Sequence, residues 1–100
     1  MTVSFEGFDW DAGNAQKCQK HGAEIEIIEA LFRSSALLVQ PDESNSGTEV
    51  RFRGIGRTES GRGIFVVFTL RVRGGRRLIR PISARYMHKK EIATFEKENP

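Results

Sequence analysis

Two hydrophobic periods divide this chain. In the first third the spacing is helical. Ile25, Ile28, Leu31 and Phe32 fall on one face of a helix predicted over about Glu24 to Phe32. Glu24 and Glu26 lie near its positive end and Arg33 near its negative end, in agreement with the macrodipole. A preceding helix is expected from Ala12 to about Lys20, with Asp11 as N-cap and Gly22 as the C′ residue. Its apolar face (Ala12, Ala15, Cys18) is thin, so it must lie against something else. Before it, Val3 to Trp10 carries Phe5, Phe8 and Trp10 and reads as a short strand or an aromatic clasp.

From there the period is two. A short strand is expected over Ala36 to Val39, ended by Pro41, then a polar loop over 42–48. Glu49 to Thr58 follows as a strand with Glu49, Arg51, Arg53, Ile55 and Arg57 on one face and Val50 and Phe52 on the other. Gly54-Ile55-Gly56 within it marks a bulge or a close backbone approach. Glu59-Ser60-Gly61 turns the chain into Ile64 to Val72, a β-branched and aromatic run without Pro or Gly. Gly74-Gly75 suits a tight hairpin, and Leu78 to Ala84 returns as the partner strand. The simple register across that turn puts Arg71 opposite Leu78 and Arg80 opposite Thr69, so both guanidinium groups share a face. Pro81 has no N–H for a ladder, which predicts an edge position or a bulge; a bulge would bring Arg85 to the side of Arg80. A last helix, Lys89 to Glu98, has only Ile92 and Phe95 as anchors and end charges that oppose the dipole, so it is expected to be loosely held. The whole predicts one α+β domain over residues 1–100: two N-terminal helices packed on a mostly antiparallel sheet of about four strands, with a C-terminal helix, and the helices all on one sheet face.

Charge sharpens this picture. The net charge of +3 conceals nine acidic and three basic side chains before residue 50, against four acidic and thirteen basic from there on. Residues 62–90 carry nine Lys or Arg and no Asp or Glu, where an ordinary solvated surface mixes signs. Arg71, Arg73, Arg76, Arg77, Arg80 and Arg85 stand on a stiff hairpin, and guanidinium groups fork onto phosphate, so the expected partner is anionic.

Other chemistries find little support. One cysteine, Cys18, excludes an intramolecular disulfide and fits a reducing cytoplasm. No apolar run approaches a membrane span, and the start shows no secretory signal pattern. Cys18 and His21 lie three apart, but no second pair completes a structural zinc site; neither metal nor cofactor is expected. RNA cleavage, by contrast, asks for cations around the phosphate and a group to move protons. Fixed arginines can stabilise the phosphorane, and Glu49, His21 or His88 could serve as base or acid.

The chain resembles the BrnT-type toxins of bacterial type II toxin–antitoxin modules. The resemblance runs through Phe8-Asp9-Trp10-Asp11, Asn14, Lys17, Lys20-His21-Gly22, Glu49-x-Arg51-Phe52, Gly56-Arg57, Thr69-Leu70-Arg71 and Ile82-Ser83-Ala84-Arg85. Cys18, near where relatives often carry Asn, and Pro81, where they usually carry an aliphatic residue, depart from it. The resemblance implies a RelE-like fold and ribonuclease activity. It also implies inhibition by a cognate BrnA-like antitoxin, whose ribbon-helix-helix domain binds operator DNA. The toxin itself would meet that DNA only through the antitoxin, and no membrane is involved.

The expected function is therefore a metal-independent endoribonuclease toxin. Glu49, Arg51, Arg57, Arg71, Arg80, Arg85 and His21 are the candidate catalytic residues. Arg53, Arg73, Arg76, Arg77 and Lys89 are candidates for RNA binding. The alternative is a non-catalytic basic module, or a co-repressor, that docks an acidic antitoxin or nucleic acid. An acidic antitoxin segment is expected to cover Arg71 and Arg80 and to touch residues 88–98.

Overall fold

A computed structural model describes residues 5–34, 37–42 and 49–100. The start of the first aromatic segment, Ala36 and residues 43–48 of the polar loop lie outside the described residues. The elements are β1 (Gly7–Phe8), α1 (Ala12–Gln19), α2 (Ile25–Arg33), β2 (Leu38–Pro41), β3 (Phe52–Arg57), β4 (Gly63–Arg73), β5 (Arg76–Tyr86) and α3 (Lys89–Glu98). The strands among them form one sheet in the order β1-β5-β4-β3-β2, with β1 parallel to β5 and the other pairs antiparallel.

The α+β reading holds, but the sheet has five strands where about four were expected. The fifth is β1, which falls within the Val3 to Trp10 segment expected as a short strand or an aromatic clasp and joins the sheet by pairing with β5. Glu6 N–H donates to the Arg77 carbonyl at 2.8 Å and Asp9 N–H to the Ile79 carbonyl at 2.8 Å. The same segment is an aromatic clasp, since Phe5 and Phe8 meet at 5.2 Å between ring centroids and both contact Phe32. Strand β3 begins at Phe52 rather than Glu49, so Glu49 stands just ahead of the ladder.

Alternation along β4 decides which face is covered. Ile64, Val66 and Phe68 are buried with Ile79 and Ala84 of β5 against Cys18, Ile28, Leu31 and Phe32 of the first two helices. Phe32 packs edge-on to Phe68 at 4.8 Å. Gly54 on this face is a close approach, not a bulge: its register with β4 is unbroken, and a Cβ there would lie 3.1 Å from Leu37 Cδ1. Helix α1 starts as expected at Asp11, whose carboxylate accepts the Asn14 N–H at 3.0 Å while Asn14 Oδ1 accepts the Asp11 N–H at 2.7 Å.

The β4–β5 hairpin follows the expected register, with Arg71 opposite Leu78 and Arg80 opposite Thr69. Gly74 and Gly75 take φ of 57° and 77°, the left-handed pair that a two-residue turn demands. Beyond Phe68↔Pro81 the next pair is Val67↔Ser83, so Ile82 is the extra residue of a bulge. Arg85 then pairs with Phe65 and shares a face with Arg80. The Ile79 and Pro81 carbonyls point away from β4, accepting Asp9 N–H and Asn14 Nδ2–H respectively. The proline nitrogen faces the same way, past the end of β1, where no ladder partner requires its missing N–H.

One expectation about packing is corrected. The helices do not all lie on one face: α3 packs on the opposite one. Ile92 is buried over Gly63, where an added Cβ would come within 2.7 Å of the Ile92 Cβ. Two forked ion pairs also hold α3, Arg57–Glu96 at 2.6–2.7 Å and Arg85–Glu91 at 2.9–3.0 Å. The His88 N–H donates to Glu91 Oε1 at 3.3 Å at the helix start. Reading the end charges against the dipole missed these attachments because both arginines stand on the sheet, outside the helix whose charges were read.

Candidate active site

The second face of the sheet carries the arginines. In each row across it, neighbouring strands contribute side chains side by side, and successive rows along a strand lie about 6.6 Å apart. The half nearer the hairpin tip is open. Here Arg71 of β4, Arg80 of β5 and Arg51, one residue ahead of β3, surround a cleft of about 290 Å³, with Glu49 beside them. The first turns of α1 form its other wall and contribute Asp11 and Lys17. Asn14 holds that wall in place. It is buried, and its Nδ2 donates to the Asp9 carbonyl at 3.0 Å and the Pro81 carbonyl at 2.8 Å.

The guanidinium groups differ in what they already hold. Arg71 pairs with Glu49: Nη2 donates to Oε1 at 3.2 Å, and Nε lies 2.8 Å from Oε2 without hydrogen-bond geometry. Arg80, only 19% exposed, places Nη2 2.8 Å from Asp11 Oδ2 and Nη1 3.6 Å from Asp9 Oδ2. The Asn14 backbone N–H, and after it Arg80, hold the Asp11 carboxyl below its ordinary range, so it is an anion at neutral pH and no proton donor. Arg51 has no acidic partner among the described residues, and its Nε is shut from solvent without a hydrogen bond. Lys17 is exposed and unpaired among the described residues. Four cations and two carboxylates thus share the cleft, with Arg51 and Lys17 unspent.

The other sequence candidates lie elsewhere. Arg57 and Arg85 share the arginine face but are engaged by Glu96 and Glu91 of α3. Arg53 lines a second depression beneath α3. Arg73 pairs with Asp9 at 3.2 Å, and Arg76 donates to the Glu6 carbonyl at 3.1 Å, both exposed near the hairpin tip. Arg77 is the register partner of Val72 and points to the opposite face. Lys89 opens α3 and His21 is exposed in the turn after α1; neither lines the cleft. Cys18 is fully buried, and burial pushes its thiol up to about 11, so it is neither a thiolate nor a ligand at neutral pH. Among the described residues no group of three or more His, Cys, Asp or Glu is placed to hold a metal ion.

Lys17 was not among the candidates read from the sequence. Its signals were its place in the series that carries the family resemblance and its spacing, three residues after Asn14 on the same helix face; nothing in sequence said that this face meets the edge of β5.

A family profile described as the ribonuclease toxin BrnT of type II toxin–antitoxin systems matches residues 10–91. The chain belongs to this family. The matched stretch contains every charged residue of the cleft, from Asp11 and Lys17 to Arg80, and ends within α3 at Glu91. Membership makes the chain a ribonuclease toxin of the BrnT type and implies an antitoxin partner. Among curated proteins none matches the chain. No helix among the described residues is long and apolar enough to cross a membrane.

Proposed function

We propose that the cleft between α1 and the open half of the sheet is the ribonuclease centre, working through acid–base chemistry without a metal ion. The observation that carries this is the convergence of Arg51, Arg71 and Arg80 on one cleft that also holds Glu49. The scissile phosphate enters with its non-bridging oxygens toward the three guanidinium groups. Arg51, with no carboxylate to release, binds first, and Arg71 and Arg80 exchange part of their contacts with Glu49 and Asp11 for phosphate. Glu49, freed from Arg71, takes the proton of the 2′-OH. The 2′ oxygen attacks phosphorus, and charge gathers on the phosphorane oxygens under the guanidinium groups. Lys17, as ammonium, gives a proton to the 5′ oxygen as its bond to phosphorus breaks. The products are a 2′,3′-cyclic phosphate and a 5′-hydroxyl.

In this reading Arg57 and Arg85 act through α3, which they tether, and Arg73 and Arg76 extend the cationic field toward the tip. His21, Arg77 and Lys89 stand apart from the cleft and would contribute only long-range attraction. The toxin would work in the cytoplasm as an endoribonuclease. It would be held inactive by a BrnA-like antitoxin with a ribbon-helix-helix domain, through which alone it reaches operator DNA. An acidic segment of that antitoxin would lie over Arg71 and Arg80 and contact residues 88–98, slowing hydrogen exchange there.

The test is cleavage of RNA by purified toxin in EDTA, with the new ends mapped. Cyclic phosphate and 5′-hydroxyl ends, and their loss in Glu49→Gln, are expected. Ends bearing 3′-hydroxyl and 5′-phosphate, or activity restored only by added metal, would overturn the mechanism. RNA binding without cleavage would favour the basic-module alternative.

A further inference from the structure

The covered half of the arginine face is not filled by its helix. Between α3 and the sheet remains an open groove of about 640 Å³. Its floor is apolar, with Ile55 of β3 beside Phe65 of β4, its register partner, and Phe95 of α3 forms part of its wall. Arg85 lies over the Phe65 ring at 5.0 Å. Toward the cleft the floor changes character. Gln40 of β2 and Arg53 of β3 are register partners and stand side by side. Among the described residues the Arg53 guanidinium has no carboxylate or carbonyl partner, and its Nε makes no hydrogen bond. The Gln40 side-chain amide likewise makes no hydrogen bond among the described residues.

A depression with a flat aromatic floor and unspent amide and guanidinium groups at one end is chemically suited to a nucleobase. The ring stacks or packs on apolar surface, and its polar edge meets donors and an acceptor. The position fits as well. Arg51 in the cleft and Arg53 in the groove are two residues apart on the same face of one extended segment, about 6.6 Å. A phosphate held by Arg51 therefore leaves its neighbouring base within reach of Arg53 and Gln40.

We infer that the groove under α3 is a base-reading subsite, which receives the nucleobase adjoining the scissile phosphate and gives the ribonuclease a base preference there. This rests on the ribonuclease reading above and supplies what the arginine cleft lacks, because phosphate contacts position a strand without reporting its sequence.

Two measurements on the full chain test it. In the first, NMR follows titration with each of the four nucleoside 3′-monophosphates and, as a base-free probe, ribose 5-phosphate. The nucleotides should shift the Gln40 side-chain amide, the Arg53 Nε–H and the Phe65 and Phe95 rings, whereas ribose phosphate should move only signals around Arg51, Arg71 and Arg80. In the second, cleavage sites are mapped on RNA of random sequence. One base should be favoured next to the cut, and Gln40→Ala should lower the ratio of favoured to other sites about tenfold. Nucleotides that shift only cleft signals, unbiased cleavage, or a bias unchanged in Gln40→Ala would each overturn the subsite and leave the ribonuclease reading standing. Groove shifts with nucleotides in a protein that never cleaves RNA would sustain the subsite and sink the catalytic reading. Protection of the groove by antitoxin, with no response to any nucleotide, would assign it to the antitoxin instead.

Discussion

The two halves of the arginine face use the same residue type for opposite ends. Near the hairpin tip, Arg51, Arg71 and Arg80 surround an open cleft, and the carboxylates they hold come from outside the ladder, at Glu49 and at the cap of α1. Toward the other end, Arg57 and Arg85 are forked by Glu96 and Glu91 of α3, and the arginines hold a helix down. Partners, not residue identity, separate an arginine left on an open cleft from one used as a tether. Arg57 and Arg85, each gripped by both oxygens of a glutamate on α3, would have to give up that grip before turning to RNA.

The largest effects should fall in the open half. Arg71→Ala, Arg80→Ala and Arg51→Ala should each lose roughly 10²–10³ in cleavage rate, about 2.7–4 kcal/mol of transition-state stabilisation. All three should abolish killing on expression while the fold is kept. Full toxicity from any of them, at equal soluble expression, would remove that residue from the site.

Next in size is the seat of α3. Gly63→Ala drives a methyl group into Ile92 and should destabilise the protein by about 1–3 kcal/mol. For a domain of this length that is a fall of some 4–8 °C in Tm per kcal/mol. An unchanged melting curve would mean that Ile92 is free to move and that the helix is not wedged there.

Smaller still is the effect of cutting a tether. Arg57→Ala and Arg85→Ala should speed hydrogen exchange along α3 and leave toxicity far less impaired than the cleft variants, because exposed ion pairs contribute little each. Killing lost as completely as in Arg80→Ala would place these two arginines in the chemistry instead.

The slightest change is with pH. Arg85 lowers the Glu91 carboxyl and Arg57 lowers that of Glu96, in each case chiefly by hydrogen bonding. A depressed carboxylate adds stability that is present above its unfolded value, ordinarily about 4.3. That stability is lost as the pH falls through the lower folded value. The protection of the α3 amides relative to an unstructured chain at the same pH should therefore be flat from neutrality down to the ordinary glutamate range and fall only below it. A loss of protection already between pH 8 and 6 would show that the Glu91 and Glu96 pairs do not set the pH response of α3.

Local rules accounted for much of what was legible. The Asp11 cap, the Gly74-Gly75 turn and the hairpin register follow from side-chain capping and positive φ, which act over a few residues. Pro81 foretold the bulge for the same reason, and with it the shared side of Arg80 and Arg85. The face carrying Arg51 and Arg53 was readable because a strand alternates whatever it packs on.

What the chain could not announce by itself was company. The Val3 to Trp10 stretch was legible as a short strand or an aromatic clasp, but that Gly7–Phe8 would pair with β5, through carbonyls at Arg77 and Ile79, was not. The side of the sheet that α3 takes depends on an absent side chain at Gly63 and on glutamates meeting arginines 6 and 39 residues away in sequence. Lys17 joins the cleft because Asn14 fastens its helix to a carbonyl 67 residues on. Alternation and capping are set within a few residues and so are written in the sequence. Which arginine finds a carboxylate, and which is left for a phosphate, is a matter of distances that exist only after the sheet has formed and the helices have chosen their faces.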